Sequence, residues 1–380
     1  MRLTTDNVLS ILLLADKYNI AVLRETCVEY MLHHIVESPD TNRTLSWYQY
    51  AKMTANALLV TKCWKFILSN FDIILKTSDW INMTTAEIIQ FLSSNDLVVS
   101  DEFYLWENVE KWVTLKFEEE EVAGVVLDVI PLLHFTMMQP KQLLQIEKSS
   151  LFEKYKAVFM EKTSAAYRHH SLLSDEVNVQ TSTERFRNYT SDIYGLCVNF
   201  KIEDFKDMEV SLCRYKQRVS VPIEFISSTK GYKADQNRVL FEVALHGKGV
   251  CKTFSFYNQK PKNAKLSVRA LNVKPNLKAE ITFIIYGRKN GVCYVAFTYT
   301  NTHEYSTTCQ FFMEENLIAV STLCSEKSPY LIDGSLEARV FVKILSLEEK
   351  TEWRLQSFIY MNMNLQKSFN RHYFSLISAS

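Results

Sequence analysis

Apolar residues recur every three or four positions through roughly the first 160 residues and every second position from about 195 onward, so the chain passes once from helical to strand patterning. In the opening stretch VLSILLLADKYNIAVLRETCVEYM, Val8, Leu12 and Ala15 share a helical face behind the capping candidates Thr5 and Asp6. KYNI turns the chain, and Leu23, Cys27, Tyr30 and His34 mark a second helix that Ser38-Pro39 stops. LSWYQYAKMT and ALLVTKCWKFILSNFDIIL predict another pair, and Thr84 with Glu87 predicts a capping box ahead of IIQFL. Asp101 and Glu102 start a helix whose expected apolar stripe is Phe103, Trp106, Val109, Val113 and Leu115, with the acids at 118–121 ending it in solvent. Gln139-Pro140 opens a last helix through Leu143, Leu144 and Ile146.

Periodicity lapses over 161–190, where Ser, Thr and charge accumulate, and this span is expected to be a linker with helix at its start. Beyond it GLCVNF, RVSVPIEF, RVLFEVAL, VCKTFSF, KLSVRAL, AEITFIIYG, VCYVAFTY and EARVFVKIL alternate as short strands. The turn Lys289-Asn290-Gly291 joins two of them, and Pro222 confines its strand to an edge or a bulge. The expected class is a multidomain α + β chain, an all-α stack of helix pairs followed by an antiparallel β-sandwich over 191–346. The last stretch, 347–380, follows the final strand as an appended tail with no assigned role.

Composition narrows the function. Lys plus Arg and Asp plus Glu both number 43 among 380 residues, so no basic excess exists to hold a phosphate backbone, and nucleic acid is not an expected partner. No apolar run approaches the roughly 20 residues that span a bilayer, and no signal-peptide cleavage pattern follows the first apolar run. Eight cysteines lie without a CxxC pair or zinc-ligand spacing, and they read as buried reduced thiols or as pairs formed in an oxidising compartment. The sequons at Asn42, Asn82 and Asn188 are about as many as chance supplies and mark possible glycosylation if the chain is secreted.

No catalytic constellation stands out. HGKGVC at 246–251 lacks the third glycine and the helix of a phosphate cradle and reads as a hairpin turn. His33-His34 and His169-His170 point adjacent rings to different sides rather than converging on a metal. The acids at 118–121 point in different directions and mark a solvated end. Trp47, Tyr48 and Tyr50 read as core or as a docking patch. A chain without nucleophile, metal cluster or phosphate loop is expected to be a non-enzymatic interaction protein that needs no cofactor.

The opening helix pair, with its Leu-rich helix, Ala-Asp-Lys-Tyr turn and Leu-x-x-x-Cys helix, resembles the end of a BTB/POZ domain. DEFYLWENVEKWV and VIPLLHFTMMQPKQLLQI resemble a BACK domain. With SWYQYA, the DWINMTTAEIIQFLSSNDLVVSDEFYLWE stretch and the later strands, the chain is similar to the BTB/POZ domain-containing protein 17 family, BTB–BACK proteins related to galectin-3-binding protein. The resemblance implies BTB helices over 1–36, a BACK domain over 37–160 and a TRAF-like, MATH-type sandwich. It also implies a chain truncated at its N-terminus, since the BTB strands and first helices are lacking.

In such a family the expected function is a substrate-recognition subunit, or a fragment of one, of a cullin-3 RING ubiquitin ligase. The BTB domain homodimerises and holds cullin-3, BACK extends that contact, and the sandwich recruits an unnamed substrate, in the cytoplasm. Leu45, Trp47 and Tyr48, on the first BACK helices, are then the expected partner-facing residues. Leu9, Leu12 and Leu13 are expected to be exposed where the BTB body is missing. The alternative is a secreted scaffold glycoprotein of the galectin-3-binding-protein kind.

Overall fold

The computed structural model describes residues 2–35, 43–171, 186–209, 214–223, 238–249, 262–272, 277–289, 291–326 and 328–347. Asn42, most of the expected linker, the expected strand at 250–256 and the tail from 348 lie outside these residues.

The first half is helical: α1 (Val8–Lys17), α2 (Ala21–His33), α3 (Thr44–Met53), α4 (Ala57–Ser69), α5 (Phe71–Ile74) and α6 (Thr85–Leu92) are followed by the two-residue strand β1 (Val98–Val99). Then come α7 (Glu102–Lys116), α8 (Glu119–Val129), α9 (Pro140–Ile146), α10 (Ser150–Lys154) and α11 (Lys156–Ser171). Side chains set the starts. Asn56 accepts from Leu59 N at 3.1 Å to cap α4, and Thr84 and Glu87 close a reciprocal box at α6. Asp101 Oδ1 accepts from Tyr104 N at 2.8 Å at α7, and Pro140 occupies the first position of α9, where its missing N–H costs nothing.

Two expectations need correction here. Neither Thr5 nor Asp6 caps α1; the turn before it is closed by Thr4 and Asn7, whose backbone N–H groups each donate to the other's side chain. On α7 the buried stripe is Leu105, Trp106, Val109, Trp112 and Val113, while Leu115 is exposed. Trp112 replaces it inward because its Nε1 donates to Met83 O at 3.2 Å, which satisfies the polar atom of a buried ring. The acids at 118–121 sit at the cap and first turn of α8, where they complement the helix dipole.

The second half contains β2 (Asn188–Tyr189), β3 (Cys197–Ile202), β4 (Arg214–Pro222), β5 (Arg238–His246), β6 (Asn263–Ala270), β7 (Leu277–Lys289), β8 (Val292–Tyr305), β9 (Phe311–Ala319), the short helix α12 (Val320–Leu323) and β10 (Leu336–Leu347). One antiparallel sheet has the order β3-β10-β7-β8 and the other β4-β5-β6-β9. Their inner faces meet through residues such as Phe200, Phe283 and Val340 on one side and Val243, Leu266 and Phe312 on the other, the two-sheet core of a sandwich. Gly291, at φ +80°, supplies the left-handed residue that the β7–β8 turn requires. Pro222 ends β4, an edge strand, where a missing N–H breaks no ladder. β9 has no counterpart among the strands read from the sequence.

Candidate functional site: the domain junction and the exposed faces

The span expected as a linker holds the rest of α11 at one end and, at the other, a buried segment that joins the two halves. β2 adds to β1 as a parallel strand, with Val98 opposite Asn188 and Val99 opposite Tyr189. Asn188 N and Thr190 N donate to Leu97 O and Val99 O at 3.0 and 2.9 Å.

Arg187 is fully buried and satisfied. Its Nε donates to Glu102 Oε2 at 3.1 Å, Nη1 to Leu92 O and Ser94 O at 2.7 and 3.0 Å, and Nη2 to Leu132 O and Glu102 Oε1 at 2.8 and 3.5 Å. All five guanidinium N–H groups are thus used. Glu102 also accepts from Tyr189 Oη at 2.5 Å and from His134 N at 2.8 Å. Burial pushes the Glu102 carboxyl up, but the Arg187 charge, His134 and the hydrogen bonds outweigh it and hold the group below the usual carboxylate range. Burial and the Glu102 charge push the Tyr189 hydroxyl well above its ordinary range, so it stays a donor.

Around this centre the outward face of the first sheet packs on the helices. Ile284, Val295 and Phe341 form a small apolar cluster with Val98. Lys343 Nζ lies 2.6 Å from Glu280 and donates to Asn95 O at 3.2 Å. At the free edge of the sheet, Asn70 Oδ1 accepts from Val295 N at 2.6 Å, and Lys65 Nζ donates to Thr298 O at 3.3 Å. Strand β8 therefore ends the sheet against α4 rather than in water, which protects an edge otherwise open to pairing.

The expected partner-facing residues are elsewhere than on a surface. Leu45, Trp47 and Tyr48 are all buried, a correction with a simple cause: α3 lies inside the helical stack, and Tyr48 packs on Trp64 and Phe91 while its hydroxyl donates to Gln90 Oε1 at 3.2 Å. Of the three leucines expected to be exposed, Leu12 is 1 % exposed, Leu9 is half-buried and Leu13 is 50 % exposed. The open face of the hairpin is turned by one position, to Leu13, Leu14, Tyr18, Ile20 and Val22. Behind it a cleft of about 240 Å³ runs between the hairpin and the α3–α4 turn, lined by Asp16, Arg24, Tyr50 and Asn56 among others.

Asn82 is exposed, whereas Asn188 is 1 % exposed and its Nδ2 donates to Asp96 O at 3.0 Å, so it is closed to a glycan. His169 and His170 are buried on α11, and burial lowers the His170 imidazole below its ordinary value. Among the described residues no group of three or more His, Cys, Asp or Glu is placed to hold a metal, and the six described cysteines are free. No helix of the described residues is long and apolar enough to cross a membrane.

A stack of paired helices fixed to a two-sheet antiparallel sandwich by buried polar contacts defines a chain of two protein-interaction domains. The family model for BACK (BTB And C-terminal Kelch) matches residues 44–148, and the model for the BTBD17 TRAF domain matches residues 184–348. BTB/POZ domain-containing protein 17 of Xenopus laevis is 29 % identical over 187 residues, 48 % of this chain and 39 % of its own length. Galectin-3-binding protein of Pongo abelii is 29 % identical over 192 residues, 49 % of this chain and 32 % of its own. Human BTB/POZ domain-containing protein 17 is 25 % identical over 187 residues. The chain is therefore similar to BTB/POZ domain-containing protein 17 and to galectin-3-binding protein over about half of its own length, and it matches well under half the length of each of these relatives.

Proposed function

We propose that this protein is a non-enzymatic adaptor, a substrate-recognition subunit of a cullin-3 RING ubiquitin ligase. The helical half faces the ligase and the TRAF domain, read as MATH-type, presents the substrate. The full-length product is a cytoplasmic homodimer. The observation that carries this reading is the junction: two interaction domains are joined through Arg187, Glu102 and the β1–β2 pair, an arrangement suited to holding one partner at a set distance from another. The exposed thiols of Cys293 and Cys309, free among the described residues, favour a reducing compartment.

The test is immunoprecipitation of the endogenous gene product from cells. Cullin-3 should be recovered with it, and depleting the product should lengthen the lifetime of at least one protein that binds the sandwich. Absence of cullin-3 from the precipitate removes the ligase reading.

Similarity to galectin-3-binding protein supports a second reading, a secreted scaffold glycoprotein, for which Asn82 is an accessible acceptor. A mass decrease on glycosidase treatment of protein recovered from the medium would favour that alternative.

A further inference from the structure

Charge is balanced over the chain but not over the outward face of the second sheet. Cross-strand register places three rows there: Arg214 beside His246 and Lys265; Lys216 beside Ala244, Ser267 and Met313; Arg218 beside Glu242, Arg269 and Phe311. Residues directly opposite one another share a face, and the alternate positions Val219, Phe241, Val268 and Phe312 are buried inward.

Lys216 Nζ lies 2.9 Å from Glu242, and Lys265 Nζ lies 3.2 Å from Glu315. Among the described residues no carboxylate pairs with Arg214, Arg218 or Arg269, and all three are exposed. At the other side of the face Phe311 and Met313 are 44 % and 46 % exposed. The small, buried Ala244 and Ser267 separate Lys216 from Met313.

Two groups within the face respond to this field. Burial lowers the His246 imidazole, and the charges of Arg214, Lys216 and Lys265 lower it further. The hydrogen bond from Lys216 lowers the Glu242 carboxyl; burial opposes this, and the charges of Lys216, Arg218 and Arg269 reinforce it. A cation is disfavoured here and a carboxylate is favoured.

We propose that this face docks an acidic protein segment bearing apolar side chains, its carboxylates meeting Arg214, Arg218 and Arg269 and its apolar groups resting on Phe311 and Met313. Spaced carboxylates suit the face better than a continuous phosphate backbone, because Glu242 stands between Arg218 and Arg269 and would repel a phosphate carried across it. The inference rests on the sheet face alone and holds whether or not the chain works with cullin-3.

The test uses the purified chain and fluorescence anisotropy with a short labelled peptide of Glu, Ser and Leu, beside the same peptide with Lys in place of Glu. The Glu peptide should bind, the Lys peptide should not, and added salt should weaken binding. The triple variant Arg214→Glu, Arg218→Glu, Arg269→Glu should weaken it by about tenfold or more. The neutral triple variant with Gln at the same positions should weaken it less, and Phe311→Ser with Met313→Ser should also reduce it. Circular dichroism and melting of each variant check the fold, and the Gln set serves if the Glu set fails to fold.

Undiminished binding by a folded triple variant, or no binding of the Glu peptide, overturns the proposal. So does displacement of the peptide by a single-stranded RNA or by phosphatidylserine vesicles that bind more tightly than it does. Self-association that the triple variant abolishes would assign the face to a second copy and would equally overturn it.

Discussion

The carboxamide of Asn70 lies against the backbone of Val295, accepting its N–H at 2.6 Å and offering Nδ2 to its carbonyl at 3.4 Å. The residue that links α4 to α5 thus takes the place of a neighbouring strand at the edge of the sheet. The ladder between β7 and β8 slips at this level, between Ile285 and Tyr286, and the amide compensates where pairing is irregular.

Replacing Asn70 by Ala leaves the Val295 N–H buried and unpaired, at a cost of about 1–3 kcal/mol. Denaturant unfolding gives the energy. Native-state hydrogen exchange should show the Val295 amide opening faster in the variant, a change that a loss spread evenly over the fold would not produce.

Arg187→Ala strands the Glu102 carboxylate away from water and should destabilise the chain by about 3–5 kcal/mol. Removing both charges, with Glu102→Leu and Arg187→Met, should cost less than the sum of the single changes. A double-mutant cycle measured by chemical denaturation reads the coupling.

Acid should expose two carboxyls of opposite sign. Glu102 is held below its ordinary value in the folded chain, so its contribution is present above the unfolded pKa and is lost as pH falls through the lower folded value. Asp72, whose Oδ1 accepts from Ser100 N at 3.3 Å, is pushed up to about 6 by burial. Its contribution is present below the unfolded pKa and is lost as pH rises through about 6. Asp72→Asn can still accept that bond, and it should raise the melting temperature at pH 7 while leaving it nearly unchanged at pH 4.

Neighbouring leucines on α1 should behave unlike each other. Leu12→Ala removes a buried side chain and should cost about 2–5 kcal/mol, whereas Leu13→Ala, at a half-exposed position, should stay within about 0.5 kcal/mol. Thermal melts of the two variants give the comparison directly.

What the sequence discloses is the local part of the fold. The Thr84–Glu87 box, the Asp101 cap, the Pro140 start and the β7–β8 turn each depend on residues within four positions of one another, and each is where the pattern predicts it. The junction depends on residues far apart, such as Glu102 and Arg187, and no spacing rule links them. Arg187 stands in a polar stretch and looks like any solvated cation.

One signal was present nonetheless. Phe283-Ile284-Ile285 and Val340-Phe341-Val342 are apolar without alternation, the mark of strands covered on both faces, and Ile284 and Phe341 do face the helices. The misplacement of Leu45, Trp47 and Tyr48 has a related cause. Aromatic residues serve cores and interfaces alike, and composition does not separate an inner helix from an outer one.

The β1–β2 pair separates the order of the sequence from the order of the attachments. Ser171 closes α11 within the helical half, and the next described residues, beginning at Phe186, are hydrogen-bonded into that same half before the sandwich starts. The peptide links between 171 and 186 are therefore not what holds the domains together. A protease cut within that span should leave two fragments that elute as a single species and separate only in denaturant, which makes the site a natural place to divide the protein for complementation from two separately expressed pieces.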